Sequence, residues 1–439
     1  AYEIDLSFMG LFREVMRSGS LYVLPVPMLA FGAATLTVSF LPRMISDALA
    51  GELCELQPIG HLSKSCEVAN GQMVNYFAFS TFLASAMGFF VQPWAGRASD
   101  AHGRRPLLLL AAVLGLLKPL ALFAHISGGL DIRAYYLAGV PSEALPPASL
   151  LISWMADRVR PAYRASLFGF LTAAMLVPFS TLPLLGSFMT RRASIISGVG
   201  CAIATAAYVS LVLPESLGEH ERERAKAKQA AQTAKLYAPD DCGDRSSGGC
   251  GGGGGVGARG SRRGCSFRLR AAAMSLFGPM IDILSRSRLF STLAFLAFIM
   301  AVANSGNQTV ILQFFNLKFN FTPRDQSLYL LDIGGSCIVA LTVLLPTLLS
   351  RLGEVGTVRA STAVLVVHML GVTLSPSKTW VYVFGATGSL AFVALPAISA
   401  LKANHAAADE QGAVQGALYA SAALGSAIGP LLIGSWLFV

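Results

Sequence analysis

Ten residues, Gly96-Arg-Ala-Ser-Asp100-Ala-His-Gly103-Arg104-Arg105, place one acid among three arginines between two long apolar stretches. A carboxylate so placed can accept charge-assisted hydrogen bonds or sit at a helix N-terminus, and an arginine four residues on can brace it. Further charges stand inside apolar stretches, at Lys118, Glu143 and Asp332. An ion at the bilayer centre costs about 2.5–3.5 kcal/mol on insertion scales, so it is expected to face a cavity or a partner. Such groups can carry a proton or meet a polar solute. Asn304 and Gln308 share a helical face at spacing four; they either hydrogen-bond a solute or join neighbouring helices.

The elements that hold these residues follow from composition. Of 439 residues, 54% are hydrophobic and 13% charged, with mean hydropathy +0.59; soluble domains carry about 25% charged residues. A spanning helix needs about 20 mostly apolar residues. Eleven stretches qualify, at 21–41, 73–95, 106–124, 134–155, 167–189, 194–214, 289–315, 328–349, 360–374, 380–401 and 413–439, the ninth being short. The expected class is an all-α membrane protein. The chain lacks an initiating Met and stops with its eleventh stretch, so a twelfth helix is expected to be missing from it.

Lysine and arginine set the orientation. With the N-terminus inside, short inner segments hold Arg13, Arg17, Arg97, Arg104, Arg105, Arg158, Arg160, Arg164, Arg351, Arg359 and Lys402, and the long central loop adds more. The N-terminus and central loop are therefore expected to be cytoplasmic. The net charge of +9 is mostly this bias; basic residues are not interleaved with stacking aromatics, so no nucleic-acid partner is expected. There is no P-loop, no hydrolase constellation and no zinc spacing, and neither enzymatic activity, cofactor nor metal is expected. Cys54 and Cys66 share the first outer loop and either pair or remain two thiols.

The loop 96–105 resembles the G-x-x-x-D-x-x-G-R-R/K signature of the major facilitator superfamily, between its second and third helices. An echo, Arg351-Leu-Gly353-Glu354-Val-Gly356-Thr-Val-Arg359, follows the eighth stretch. Asp157 and Arg164 match an A-D-x(6)-R pattern, and Leu213-Pro-Glu215-Ser-Leu217 ends the sixth stretch as in many members. The tail from Leu395 through Gly412, Gly416 and Gly429-Pro430 is similar to the hippocampus-abundant-transcript-like branch, relatives of tetracycline-resistance proteins. Two departures count against drug/proton antiport. The fourth-helix R-x-x-x-G is absent, and only Leu182-Pro183-Leu-Leu-Gly186-Ser187 remains of the fifth-helix G-P-x-x-G-G.

The resemblance implies two pseudo-symmetric six-helix bundles. They are expected at 1–214 and 289–439 (seventh to eleventh helices), joined by a cytoplasmic loop at 215–288 with a Gly-rich insertion. It also implies that the first, fourth, seventh and tenth helices line the solute path. A conformational latch is expected from Gly96, Asp100, Gly103, Arg104 and Arg105 against Gly412 and Gly416, with Asp100 docked on the amides that open the eleventh helix. Glu143 stands about 14 Å from the outer face and Lys118 about 18 Å from the inner face, at 1.5 Å per residue. In a core about 30 Å thick they are level and able to pair. Pro141, Pro146 and Pro147 break the fourth helix around Glu143, tolerable where backbone lines a cavity. Glu143 is expected either to bind a proton or solute, with Lys118, Asn304, Gln308 and Asp332 as further candidates, or to hold a permanent ion pair with Lys118. The expected function is proton-coupled secondary transport of a small organic solute through a lipid bilayer; the alternative is a transport-inactive scaffold or receptor on the same fold.

Overall fold

The computed structural model describes residues 8–38, 40–54, 63–237, 285, 287–319, 321, 323–407 and 410–432, whose regular elements are all helices. In the first half these are α1 (Phe8–Ser18), α2 (Pro25–Thr35), α3 (Leu41–Ala50), α4 (Lys64–His102), α5 (Arg104–Gly115), α6 (Leu117–Ile126), α7 (Arg133–Ala144), α8 (Pro147–Arg158), α9 (Arg164–Phe188) and α10 (Arg191–Leu211). The charged helix α11 (Glu219–Tyr237) follows. The second half holds α12 (Arg288–Phe319), α13 (Pro323–Val339), α14 (Leu345–Leu374), α15 (Lys378–Gly388), α16 (Ala394–His405) and α17 (Gln411–Leu432).

Seven helical runs among the described residues are long and apolar enough to cross a membrane, or eight if the pair Met9–Ser18 and Ser20–Thr35, bent by 73°, is one span. The chain is a multi-pass membrane protein. The difference from eleven has local causes. The expected fourth span is split into α7 and α8, because Leu145 and Pro146 leave helical geometry and Pro147 restarts it; proline cannot donate to the previous turn. The expected eighth and ninth spans form one run, Leu328–Leu374. Its 47 residues would reach about 70 Å if straight, over twice the hydrocarbon thickness. It is turned at Gly353 (φ 68°, ψ 179°). α17, which carries Gln411, Gln415 and four glycines, is not among the seven runs. Residues beyond Leu432, on which the expected twelfth helix bears, and the Gly-rich insertion lie outside the described residues.

Two faces of the bundle can be told apart by what they carry. One holds the α4–α5 turn, the α8–α9 connection, α11 and the start of α17; it is called the central-loop face below. The opposite face carries a disulfide between Cys54 and Cys66, which settles the pairing left open by the sequence. α11 spans the two halves at the central-loop face. Gln229 donates to the Arg97 carbonyl at 2.9 Å and Lys228 meets Glu410 at 3.4 Å.

α17 packs along α4 on one side and α12 on the other. Its glycines divide between them. A Cβ at Gly412 or Gly416 would stand 2.5 Å from the carbonyl oxygens of Gly96 and Gln92 in α4, whereas Gly425 and Gly429 face the Phe298 and Val302 carbonyls of α12. This row of small residues thus serves two neighbours.

Gly103 (φ 101°) and Gly353 (φ 68°) make the same kind of turn in the two halves. The Gly353 position is open, whereas a Cβ at Gly103 would strike the Glu215 carboxylate. Gly353→Ala is expected to cost about 1–2 kcal/mol from backbone conformation alone. Gly103→Ala should cost more, because the carboxylate must also move. Thermal unfolding of the two variants in detergent checks the order, and equal losses would remove the Glu215 contact from the account.

Candidate functional site

The loop 96–105 closes on itself before it reaches anything else. α4 ends at His102, Gly103 turns the chain, and Arg104 starts α5. The turn folds Arg104 back over the last turn of α4, where its Nη1 donates to Ser99 Oγ at 2.7 Å and to Asp100 Oδ1 at 2.5 Å. From the other side Asp157, on α8, accepts from Arg104 Nε at 3.0 Å. The guanidinium is 0% exposed and Asp100 1%. One buried cation is therefore shared by two buried carboxylates.

Asp100 also reaches the second half. Its Oδ1 accepts from the Gly412 amide at 2.9 Å and its Oδ2 from the Ala413 amide at 2.8 Å. These N–H groups open α17 and carry the partial positive charge of its N-terminus. Approach this close needs Gly96 and Gly412, whose backbones would clash if either bore a side chain. Gly96, Asp100, Arg104, Gly412 and Gly416 are thus brought to one place. Gly103 and Arg105 lie one layer away, on the first half's own side: Arg105 donates to the Val209 and Ser210 carbonyls at the end of α10.

A second acid, with no local sequence signal for its role, holds that layer. Glu215 accepts from the amides of Arg104 at 2.8 Å and Arg105 at 3.1 Å, so it caps α5 as Asp100 caps α17. Ser216 Oγ donates to Asp157 at 2.8 Å, and Trp154 Nε1 to the Pro214 carbonyl at 2.9 Å. The segment after α10 is thereby locked to α8. Across from it, Arg164 at the head of α9 donates to the Ala403 carbonyl at 2.8 Å and to Asn404 Oδ1 at 3.1 Å in the second half. Asn404 in turn donates to Glu354 at 2.9 Å, next to Gly353. The two halves are tied directly at the central-loop face through Asp100 and through Arg164.

Glu143 and Lys118 meet elsewhere. Lys118 Nζ lies 2.5 Å from Glu143 Oε1 and 5.0 Å from the centroid of the Tyr135 ring. Gly139, one turn before Glu143 on α7, makes room, since a Cβ there would touch both side chains at 3.3 Å. The pair borders a cavity of about 290 Å³ walled by α2, α5, α6, α7 and α10, including Val26, Phe31, Leu108, Leu122 and Thr205. This chamber lies within the first half. Asn304 and Gln308 are on α12 and make no side-chain hydrogen bond among the described residues. Asp332 is on α13, facing Gly385 of α15, with one buried oxygen unsatisfied. The structure therefore joins Glu143 with Lys118 and leaves Asn304, Gln308 and Asp332 apart from them.

One buried charge has a sequence position that fits an inner-face lysine. Lys402 on α16 is 6% exposed, and its Nζ stands 5.7 Å from the centroid of Tyr419 on α17. Among the described residues it has no ion pair or hydrogen bond. A desolvated cation–π contact returns about 2 kcal/mol, against an effective burial cost of several kcal/mol for an ammonium. The ring alone does not compensate the charge.

A family profile described as Major Facilitator Superfamily matches residues 9–430. Human hippocampus abundant transcript 1 protein is 20% identical over 354 residues, covering 79% of this chain and 63% of that protein, so the chain spans under two thirds of this relative's length. Tetracycline resistance protein, class B, of Escherichia coli is 27% identical over 121 residues, 28% of this chain and 29% of that one. The crystal structure of the human organic anion transporter MFSD10 (TETRAN) superposes with a TM-score of 0.65 at 19% identity, over 95% of this chain and 92% of that one.

Arg104→Gln, which strands two buried carboxylates, is expected to lower stability by about 3–5 kcal/mol. Asp100→Asn keeps an acceptor oxygen and leaves Arg104 its Asp157 partner, so it is expected to cost about 1–3 kcal/mol. Unfolding of both variants in detergent compares them; an Asp100→Asn loss as large as that of Arg104→Gln would displace Arg104 as the shared centre.

Proposed function

The chain belongs to the major facilitator superfamily, and on that premise we propose that it is a secondary active transporter, moving a small organic solute by alternating access and driven by protons. The observation that carries this reading is the tie at the central-loop face. It is made of a carboxylate on helix amides and an arginine on carbonyls, groups that water can satisfy when they part. A seam so built can open without leaving orphaned polar groups, unlike an apolar one whose exposure costs free energy. Residues 1–214 and 289–439 act as the two moving bundles and 215–288 as the linker. Gly96, Asp100, Gly103, Arg104, Arg105, Gly412 and Gly416 form the latch, which biases the conformers by its differential contacts.

The central-loop face is assigned to the cytoplasm from its arginines, and the disulfide on the opposite face fits an oxidising exterior. Glu143 is assigned as the proton carrier. It sits one residue before the break between α7 and α8, and its proton competes with Lys118 for the carboxylate. Protonation releases the lysine, unclamps α7 from α6, and so couples a proton to helix movement. Asn304, Gln308 and Asp332 remain solute-contact candidates on the second half.

Uptake in proteoliposomes, with and without an inward proton gradient, tests the assignment. Glu143→Gln is expected to abolish the gradient-dependent part, a loss of about tenfold or more, 1.4 kcal/mol in a rate or binding constant. Gradient-driven uptake unchanged in Glu143→Gln would remove the carrier. No flux for any solute would favour a transport-inactive scaffold or receptor.

A further inference from the structure

Lys402 is rooted on α16 beside the central-loop face, and its side chain leans toward the N-terminus of its helix, away from that face. Its ammonium comes to rest at Tyr419, two turns into α17. The same face of α17 carries Gln411 and Gln415 at spacing four. Gln411 is engaged, its Nε2 donating to the Ala403 carbonyl at 2.8 Å. Gln415, between Gln411 and Tyr419, is 1% exposed, and both its amide oxygen and its amide nitrogen lack a partner. Among the described residues, a buried cation without a counter-ion and a buried carboxamide without a hydrogen bond therefore stand on facing helices.

Their position is between the halves. Tyr419 packs against the apolar cluster that contains Leu150, Leu151 and Trp154 of α8 together with Ala400 and Ala403 of α16. α16 packs on both α8 and α9, and α17 packs on α8. Beyond the closed Asp100 and Arg164 ties, this is where a solute held between the bundles would lie. Buried polar groups are rarely left unpaired, and a charge in a spanning segment marks a partner or a pathway.

We infer that Lys402, Gln415 and Tyr419 form a binding site between the halves for a small organic anion, a carboxylate on an apolar body. Lys402 supplies the counter-charge, the Gln415 amide donates to the second carboxylate oxygen, and the Tyr419 ring with its apolar neighbours covers the body. The site deepens the transporter reading, on which its use in transport rests, by giving the class of cargo. It is separate from the Lys118–Glu143 pair, which already has its own counter-charge.

Three probes of one shape test it on the purified full chain: 2-naphthoate, neutral 2-naphthamide and cationic 2-naphthylmethylamine. Naphthoate is expected to raise the melting temperature and to bind, and the other two to do neither. Lys402→Gln is expected to weaken naphthoate binding about tenfold or more, and Lys402→Arg to keep it within about threefold. The unliganded Lys402→Gln protein should melt no lower than the parent, since an uncompensated charge is gone. A merely structural lysine would show the reverse. If Lys402→Gln does not fold, Gln415→Leu carries the test, with binding weakened about threefold or more.

Equal stabilisation by naphthamide, no anion-dependent stabilisation, or unchanged binding in the variants would overturn the site. Flux separates it from the transporter reading. Binding without proton-driven uptake removes transport and leaves the site. Proton-driven uptake of the amide or amine, with no naphthoate binding, does the opposite.

Discussion

A guanidinium closed off from solvent organises the central-loop face. Arg104 can be buried only because Asp100 and Asp157 flank it, and each carboxylate tolerates burial only because it has further donors. For Asp157 the donor is Ser216, and for Asp100 it is the pair of amides that open α17. Removing Arg104 leaves two buried carboxylates unmatched, which costs more than the contact itself contributes. The requirement that every lone pair be met thus runs from α5 through α4 to α17, and so from one half of the chain to the other.

Close backbone approach is the condition for that chain of bonds. Side chains at Gly96 or Gly412 would push α4 and α17 apart, and the carboxylate would no longer reach the amides. The lipid-facing parts of the bundle obey a looser rule. Many large apolar side chains away from that contact, such as Phe79, Phe188, Leu211 and Leu374, are exposed, and side chains that face lipid need only be compatible with acyl chains. Tight packing is concentrated where polar groups must be satisfied.

Charges within the spans sort by how they are compensated. Among the described residues, Lys118 and Glu143 compensate each other beside a cavity, Asp332 keeps one orphan oxygen, and Lys402 has a ring and no anion. The first case suits a proton that exchanges with an internal partner. The last suits a charge that arrives with a solute. On the proposed transporter reading the two kinds serve proton and cargo at different places, with the break between α7 and α8 beside the first.

Much of this was legible in the residues. Hydropathy and the Gly-x-x-x-Asp spacing located the helices and the loop, because a spanning helix has a minimum length and a close contact needs glycine at fixed intervals. Glu143 and Lys118 could be matched by depth, since helical rise is constant. Other features had no local signal. Glu215 caps α5 from a hundred residues away, and α17 divides its glycines between α4 and α12. Lys402 carried a signal that pointed elsewhere: near a helix end it fits the positive-inside pattern, and sequence does not tell which way a flexible four-carbon stem extends. Local chemistry determined which segments enter the membrane and which residues are able to pair. Only the tertiary structure decided which of them are paired, because compensation of a buried charge depends on what other helices bring within 3 Å of it.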